Sequence, residues 1–152
     1  MKPQLVIGLG NPLMGDEGIG RRVAECLATD PRLPVDTDVL CAGTDLLRYA
    51  GRMEGRRRIL LIDAMLDGGA AGNVMVHDNE FPELEQDRQH AHHLSLPELI
   101  GLLQIASPSV RGVRFTVLAV SIESAVLRSE VSAGLKDRIP AIVEHVLDEL
   151  QR

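Results

Sequence analysis

The sequence predicts an α/β fold with a mainly parallel sheet, on three observations. Short apolar runs alternate with segments of helical period, one of those runs is apolar without interruption, and glycines cluster where the first run ends. Leu5 to Leu9 is the first strand, and it leads into the loop "GNPLMGDEGIG". From Gly18 the residues Ile19, Val23, Cys26 and Leu27 fall on one helical face, with Arg21 and Glu25 paired four residues apart. Cys26 therefore reads as a small core residue.

After the loop "DPRLP", Val35 to Cys41 is a second strand, and Leu46 to Met53 is a short helix. The run Ile59 to Ile62 is the signature of a strand covered on both faces. "LDGGAAGN" turns the chain into a short edge strand, Val74 to His77, which an acidic irregular stretch follows from Asp78 to Gln89. Leu94 to Ile105 is helical, with Pro97 admissible in its first turn. Val113 to Val120 is the last strand. A broad apolar helical face then runs from Val131 to Leu150, with a break expected near Lys136 to Ile139 because Pro140 lacks a backbone donor.

With 152 residues the chain suits one domain over 1–152, and its 45% hydrophobic content is ordinary for a globular protein. A formal charge of −6 excludes non-specific nucleic-acid binding, which needs a basic surface. It suits a metal cation or a basic partner better. Cys26 and Cys41 form neither a disulfide framework nor a metal-ligand spacing. No apolar run approaches the roughly 20 residues needed to cross a bilayer, and "MKPQLVIGLGNP" lacks the features of a secretory signal. A cytoplasmic, monomeric chain with no membrane partner is the expectation.

The glycine loop invites a nucleotide reading, which its spacing rejects. Gly8 and Gly10 are followed by Leu13 where G-x-G-x-x-G requires glycine. Asp16 and Glu17 would also face the phosphate, and a helix dipole recovers only about 1–2 kcal/mol against such repulsion. Asp16 fits an N-cap of its own helix, with general base as its alternative role. Asn11 holds the loop or polarises a carbonyl.

Asp63 follows "ILLI" directly and so stands at the carboxyl end of a central strand, where ligands of open α/β sheets gather. If that strand neighbours the first, Glu17 and Asp63 converge, their strand ends roughly 5 Å apart. Two close carboxylates resist joint ionisation unless a cation or a shared proton compensates them. The cluster "HAHHLSL", with His90, His92 and His93, is a source for a third ligand. Two carboxylates and an imidazole make an open O/N site suited to Ni, Zn, Mn or Fe.

"GLGNPLMGDEGIG", "LLIDA" and "HHLSL", in that order, resemble the maturation endopeptidases of NiFe hydrogenases, and the likeness spans nearly the whole chain. It implies a single three-layer, phosphorylase/hydrolase-like domain with a twisted, mostly parallel five-stranded sheet between helices. It also implies a cytoplasmic endopeptidase that trims a C-terminal extension from the hydrogenase large-subunit precursor once nickel is inserted. Carried over, the metal-binding positions are Glu17, Asp63 and His92; Leu94 and Leu96 match the residues that follow the family's histidine, and His90 matches none. The nickel would be borne by the substrate, with Zn or Cd able to take its place. Glu17 and Asp63, with Asp16 in addition, are the candidate catalytic residues.

Two positions depart from the family pattern. Cys41-Ala42-Gly43-Thr44 stands where many members have Asp-Gly-Gly-Thr, and Ser121-Ile122-Glu123 lacks a proline before the acid. They leave a second function in view, a nickel-binding checkpoint module that docks on a hydrogenase subunit without cutting it. A third, peptidyl-tRNA hydrolase-like enzyme shares the Gly-Leu-Gly-Asn-Pro opening, but that family lacks the acidic pair and needs an electropositive surface.

Overall fold

The computed structural model describes residues 1–79, 95–127 and 130–152. The acidic stretch beyond Asn79 and the cluster His90, His92, His93 lie outside the described residues. Five strands, β1 (Gln4–Gly8), β2 (Thr37–Cys41), β3 (Arg58–Met65), β4 (Val74–Asp78) and β5 (Arg114–Ser121), form one sheet in the order β2-β1-β3-β5-β4. All neighbours are parallel except β4, which pairs antiparallel with β5 at the edge. The mostly parallel five-stranded sheet expected from the sequence is thus present.

Side-chain alternation with period two splits the core into two layers. Val6, Leu60, Ile62, Leu118 and Val120 pack beneath α1 (Ile19–Ala28), α4 (Ala133–Lys136) and α5 (Ile139–Leu150). Leu5, Ile7, Ile59, Leu61, Phe115 and Val117 pack on the other face, beneath α2 (Ala50–Met53) and α3 (Leu96–Ala106). Burial on both faces explains why β3 reads as an unbroken apolar run. No helix among the described residues is long and apolar enough to cross a membrane.

Several local expectations shift. Val35 is 92% exposed, because the Thr37 amide turns back to the Pro34 carbonyl at 3.1 Å and pairing starts only at Thr37. The segment 46–53 divides into a 3₁₀ turn (Leu46–Tyr49) and the single turn of α2. Helix α3 starts at Leu96, behind Ser95, whose hydroxyl accepts from the Glu98 amide, with Pro97 in the first turn. The C-terminal face breaks between Lys136 and Ile139, and Pro140 opens α5. Cys26 is a correction. It is exposed, because α1 turns Val23, Ala24 and Leu27 inward and leaves Cys26 at the edge of that stripe.

Candidate active site at the carboxyl rim of the sheet

From β1 the chain leaves in one direction to reach β2, and it returns to the other side of β1 as β3. The switch point therefore lies between β1 and β3, with Gly8 opposite Ile62. The Leu9 amide donates to the Ile62 carbonyl at 2.8 Å and extends this pairing by one residue, which puts the β1 exit beside Asp63. A 3₁₀ turn, Gly15–Gly18, then carries Asp16 and Glu17 into the start of α1.

Close approach accounts for the glycines of this loop. A Cβ on Gly10, whose φ is +141°, would sit 2.1 Å from the Glu17 carbonyl oxygen. One on Gly20 would sit 2.2 Å from the Ile62 carbonyl oxygen and 2.4 Å from that of Leu9. Any side chain at either position would push the acidic turn away from the strand tips. The glycines thus seat Glu17's turn against the residue that precedes Asp63. They cradle protein backbone rather than a phosphate. Asn11 holds the loop: its side-chain oxygen accepts from the Leu13 amide at 3.0 Å and its carbonyl from the Met14 amide at 3.1 Å.

The carboxyl of Asp63 is pushed up to about 7, first by burial and further by the negative charge of Glu17, against the lowering effect of a hydrogen bond from the Ala64 amide. That bond measures 2.9 Å and comes from the next residue along the chain. The two acids are therefore close enough to interact, as the sequence suggested, and among the described residues no cation pairs with Asp63. The chemistry of the pair suits a cation: oxygen donors, one largely withdrawn from water, with a like-charge conflict that a positive ion would remove. Among the described residues no third His, Cys, Asp or Glu completes such a cluster. His92, the third expected ligand, lies outside them.

Asp16 does not cap its own helix. Neither the 3₁₀ turn nor α1 has a side-chain cap, and the Asp16 carboxylate, 6% exposed, is engaged elsewhere. Its oxygens accept from the Ser132 amide at 2.7 Å and from the Ser132 hydroxyl at 3.0 Å. No sequence signal links residues 116 positions apart. Cys41 ends β2 opposite Gly8, with its Sγ directed at the Arg21 carbonyl oxygen 4.0 Å away. Burial raises its thiol pKa, helped by Glu25, so the position that many relatives fill with an acid here holds a neutral group.

A cleft of about 380 Å³ beside Asp67, Gly72, Ser121 and Arg138 does not reach Glu17 or Asp63. Nor does a second of about 350 Å³ beside Ile100, Gln104 and Arg111.

A mostly parallel sheet with paired acids at its switch point is an arrangement used by enzymes of the α/β class. Residues 21–149 match the family model described as HycI, hydrogenase maturation protease. The chain is 30% identical over 148 residues to the hydrogenase 2 maturation protease of Escherichia coli K12, covering 96% of this chain and 87% of that protein. The hydrogenase maturating endopeptidase HybD from E. coli superposes with a TM-score of 0.82 at 28% identity, over 99% of this chain and 93% of that one. The NiFe hydrogenase maturation protease HybD from Thermococcus kodakarensis does so at 0.72 and 25% identity, over 100% of both. The chain belongs to the hydrogenase maturation protease family, and it is a peptidase.

Proposed function

We propose that this peptidase removes the C-terminal extension of a NiFe hydrogenase large-subunit precursor in the cytoplasm, acting as a monomer after nickel has been inserted. Glu17, Asp63 and His92 complete the coordination of nickel that belongs to the substrate, and Zn or Cd can stand in for it. One observation carries this reading: the glycine loop seats the turn of Glu17 against the strand ends beside Asp63, where burial and repulsion make the pair suit a cation.

The residues of this chain contribute by holding the substrate-borne ion, and the peptide beside it, in one orientation. Such positioning lowers a barrier by several kcal/mol. The attacking water is activated in one of two ways. Either the metal lowers its pKa towards about 7, or a carboxylate takes its proton.

Glu17→Gln and Asp63→Asn test the assignment. Each should leave the circular dichroism spectrum intact and slow cleavage of purified nickel-loaded precursor by roughly a thousandfold or more, scored as the mass drop of the released tail. Normal processing by both variants overturns it. The checkpoint reading draws on Cys41 standing at the tip of β2, where many relatives have aspartate. It is upheld instead if the unaltered protein co-elutes with the loaded precursor and the mass never changes. Binding of tRNA that weakens steeply with salt would favour the hydrolase-like alternative.

A further inference from the structure

Asp16 is buried and adjacent to Glu17, and both of its carboxylate oxygens accept from Ser132. We infer that Asp16 is a positioning residue, which locks the turn carrying Glu17 by clamping it to Ser132 at the N-terminus of α4. The inference rests on the functional reading above only in taking Glu17 as a metal ligand.

The turn Gly15–Gly18 is short and has no side-chain cap of its own. Three constraints hold it. Gly10 backs onto the Glu17 carbonyl, and Gly20 seats the start of α1 on the Leu9 and Ile62 carbonyls. The third is the Asp16 carboxylate, which receives both the amide and the hydroxyl of Ser132 at 2.7 and 3.0 Å. The first two are backbone contacts that prevent the turn from moving inward. Asp16 is the one side chain among the described residues that ties it laterally. Successive side chains of a 3₁₀ turn point about 120° apart. With Asp16 fixed on Ser132, the next side chain of the turn, Glu17, is therefore held in a different direction.

The anchor also has a rigid base. Ser132 leads into α4, where the Lys136 amide donates to the Ser132 carbonyl at 2.9 Å, and Leu135 and Ile139 lock the two terminal helices into the core. Both oxygens of this carboxylate are taken up by Ser132. Asp16 thus acts through Glu17 and not on the substrate.

The test uses Asp16→Asn, Ser132→Ala and the conservative Ser132→Thr, with Cd²⁺ alone as the metal probe. Calorimetric titration of the metal-free proteins should show Cd²⁺ binding about tenfold weaker for Asp16→Asn and Ser132→Ala, and near-normal binding for Ser132→Thr. On loaded precursor kcat should fall by about ten- to a hundredfold in the first two, since an ångström of misplacement has that effect, with KM little changed. If Asp16→Asn abolishes cleavage while Cd²⁺ affinity and the Ser132→Ala protein stay normal, Asp16 is the general base and the inference is overturned. It is equally overturned if both variants only melt earlier, with affinity and kcat of the folded protein unchanged. Should the unaltered protein fail to cut any precursor, the protease reading falls, while the Cd²⁺ titrations still decide the clamp.

Discussion

The two ends of the sheet handle charge in opposite ways. At the amino ends of the parallel strands every buried cation has its acid. Arg58, 4% exposed, donates to the Thr116 hydroxyl at 3.0 Å, the Glu149 carboxylate at 3.1 Å and the Glu149 carbonyl at 2.5 Å. Arg56, 6% exposed, donates to Asp38 at 2.5 Å and to the carbonyls of Lys2 and Arg52. Arg114 pairs with Asp78, which also accepts from Thr116. At the carboxyl ends, Glu17 and Asp63 face each other without a cation among the described residues. The acids respond accordingly. The guanidinium of Arg56 holds Asp38 below its ordinary value, and that of Arg114 does the same for Asp78, whereas Asp63 is driven up to about 7. One end is arranged for stability. The other keeps an electrostatic conflict for a ligand to resolve.

Removing Arg58 should have the largest effect on stability. Arg58→Met leaves the Glu149 carboxylate with only Arg152, 3.9 Å away and exposed, and deprives Thr116 of its donor. Breaking a buried pair from one side typically costs about 3–5 kcal/mol, and about 3 is expected here, since Glu149 retains some contact with water. Urea unfolding at pH 7 measures it. Because Arg58 lies at the far end of β3 from Asp63, cleavage per folded molecule should not change. A matching loss of activity would show that the two ends are not independent.

Removing the charge at the other end should have the opposite sign. Asp63 has its folded pKa raised from 3.8 to about 7, so the unfolded chain gives up this proton first. Stability is therefore lost as pH rises between these values, and the penalty is complete above about 7. Asp63→Asn abolishes the penalty. In the presence of a chelator it should be about 2 kcal/mol more stable than the parent at pH 8, with the gain gone by pH 4. That figure discounts the full shift because Asp63 keeps partial access to solvent. If the variant is the less stable protein at pH 8, burial and Glu17 do not penalise the charged form of Asp63. Stabilisation together with lost cleavage is the usual mark of a functional site.

The contrast between the ends was only half legible in the sequence. Alternating and continuous apolar runs set the strands, because burial on one or both faces leaves a period that can be read locally. Asp63 could be placed near the carboxyl end of its strand because it follows an apolar run directly, although β3 runs two residues further, to Met65, and Glu17 could be placed because glycines precede it. What the sequence hid depends on long-range contact. Arg58 reaches Glu149 across 91 positions and Asp16 reaches Ser132 across 116, and neither pair has a local pattern. Asp16 looked like an N-cap because its residue type and position suited one, and tertiary structure took its oxygens instead. Cys26 misled by a smaller margin: its spacing matched the apolar stripe, but the stripe of α1 is narrow enough to leave it outside. The histidine cluster falls beyond the described residues.

The smallest of these effects concerns Asp38, and it sharpens the comparison because its sign is the reverse of Asp63's. The hydrogen bond from Arg56 is the main cause of its lowered pKa, opposed by burial and assisted by the Lys2 amide. A depressed folded pKa contributes stability above the ordinary value of 3.8, which is lost as pH falls through the folded value. Asp38→Asn should accordingly be less stable than the parent at pH 7, by about 1 kcal/mol, one charge-assisted hydrogen bond on an acid that is partly exposed. The difference should shrink as pH falls below 3.8 and vanish once pH has passed through the lowered folded value, where the parent's carboxyl is protonated too. Paired urea titrations of Asp38→Asn and Asp63→Asn across this range should thus give curves that depart from the parent in opposite directions as pH rises. Parallel curves would mean that the two ends of the sheet do not differ in how they hold their acids.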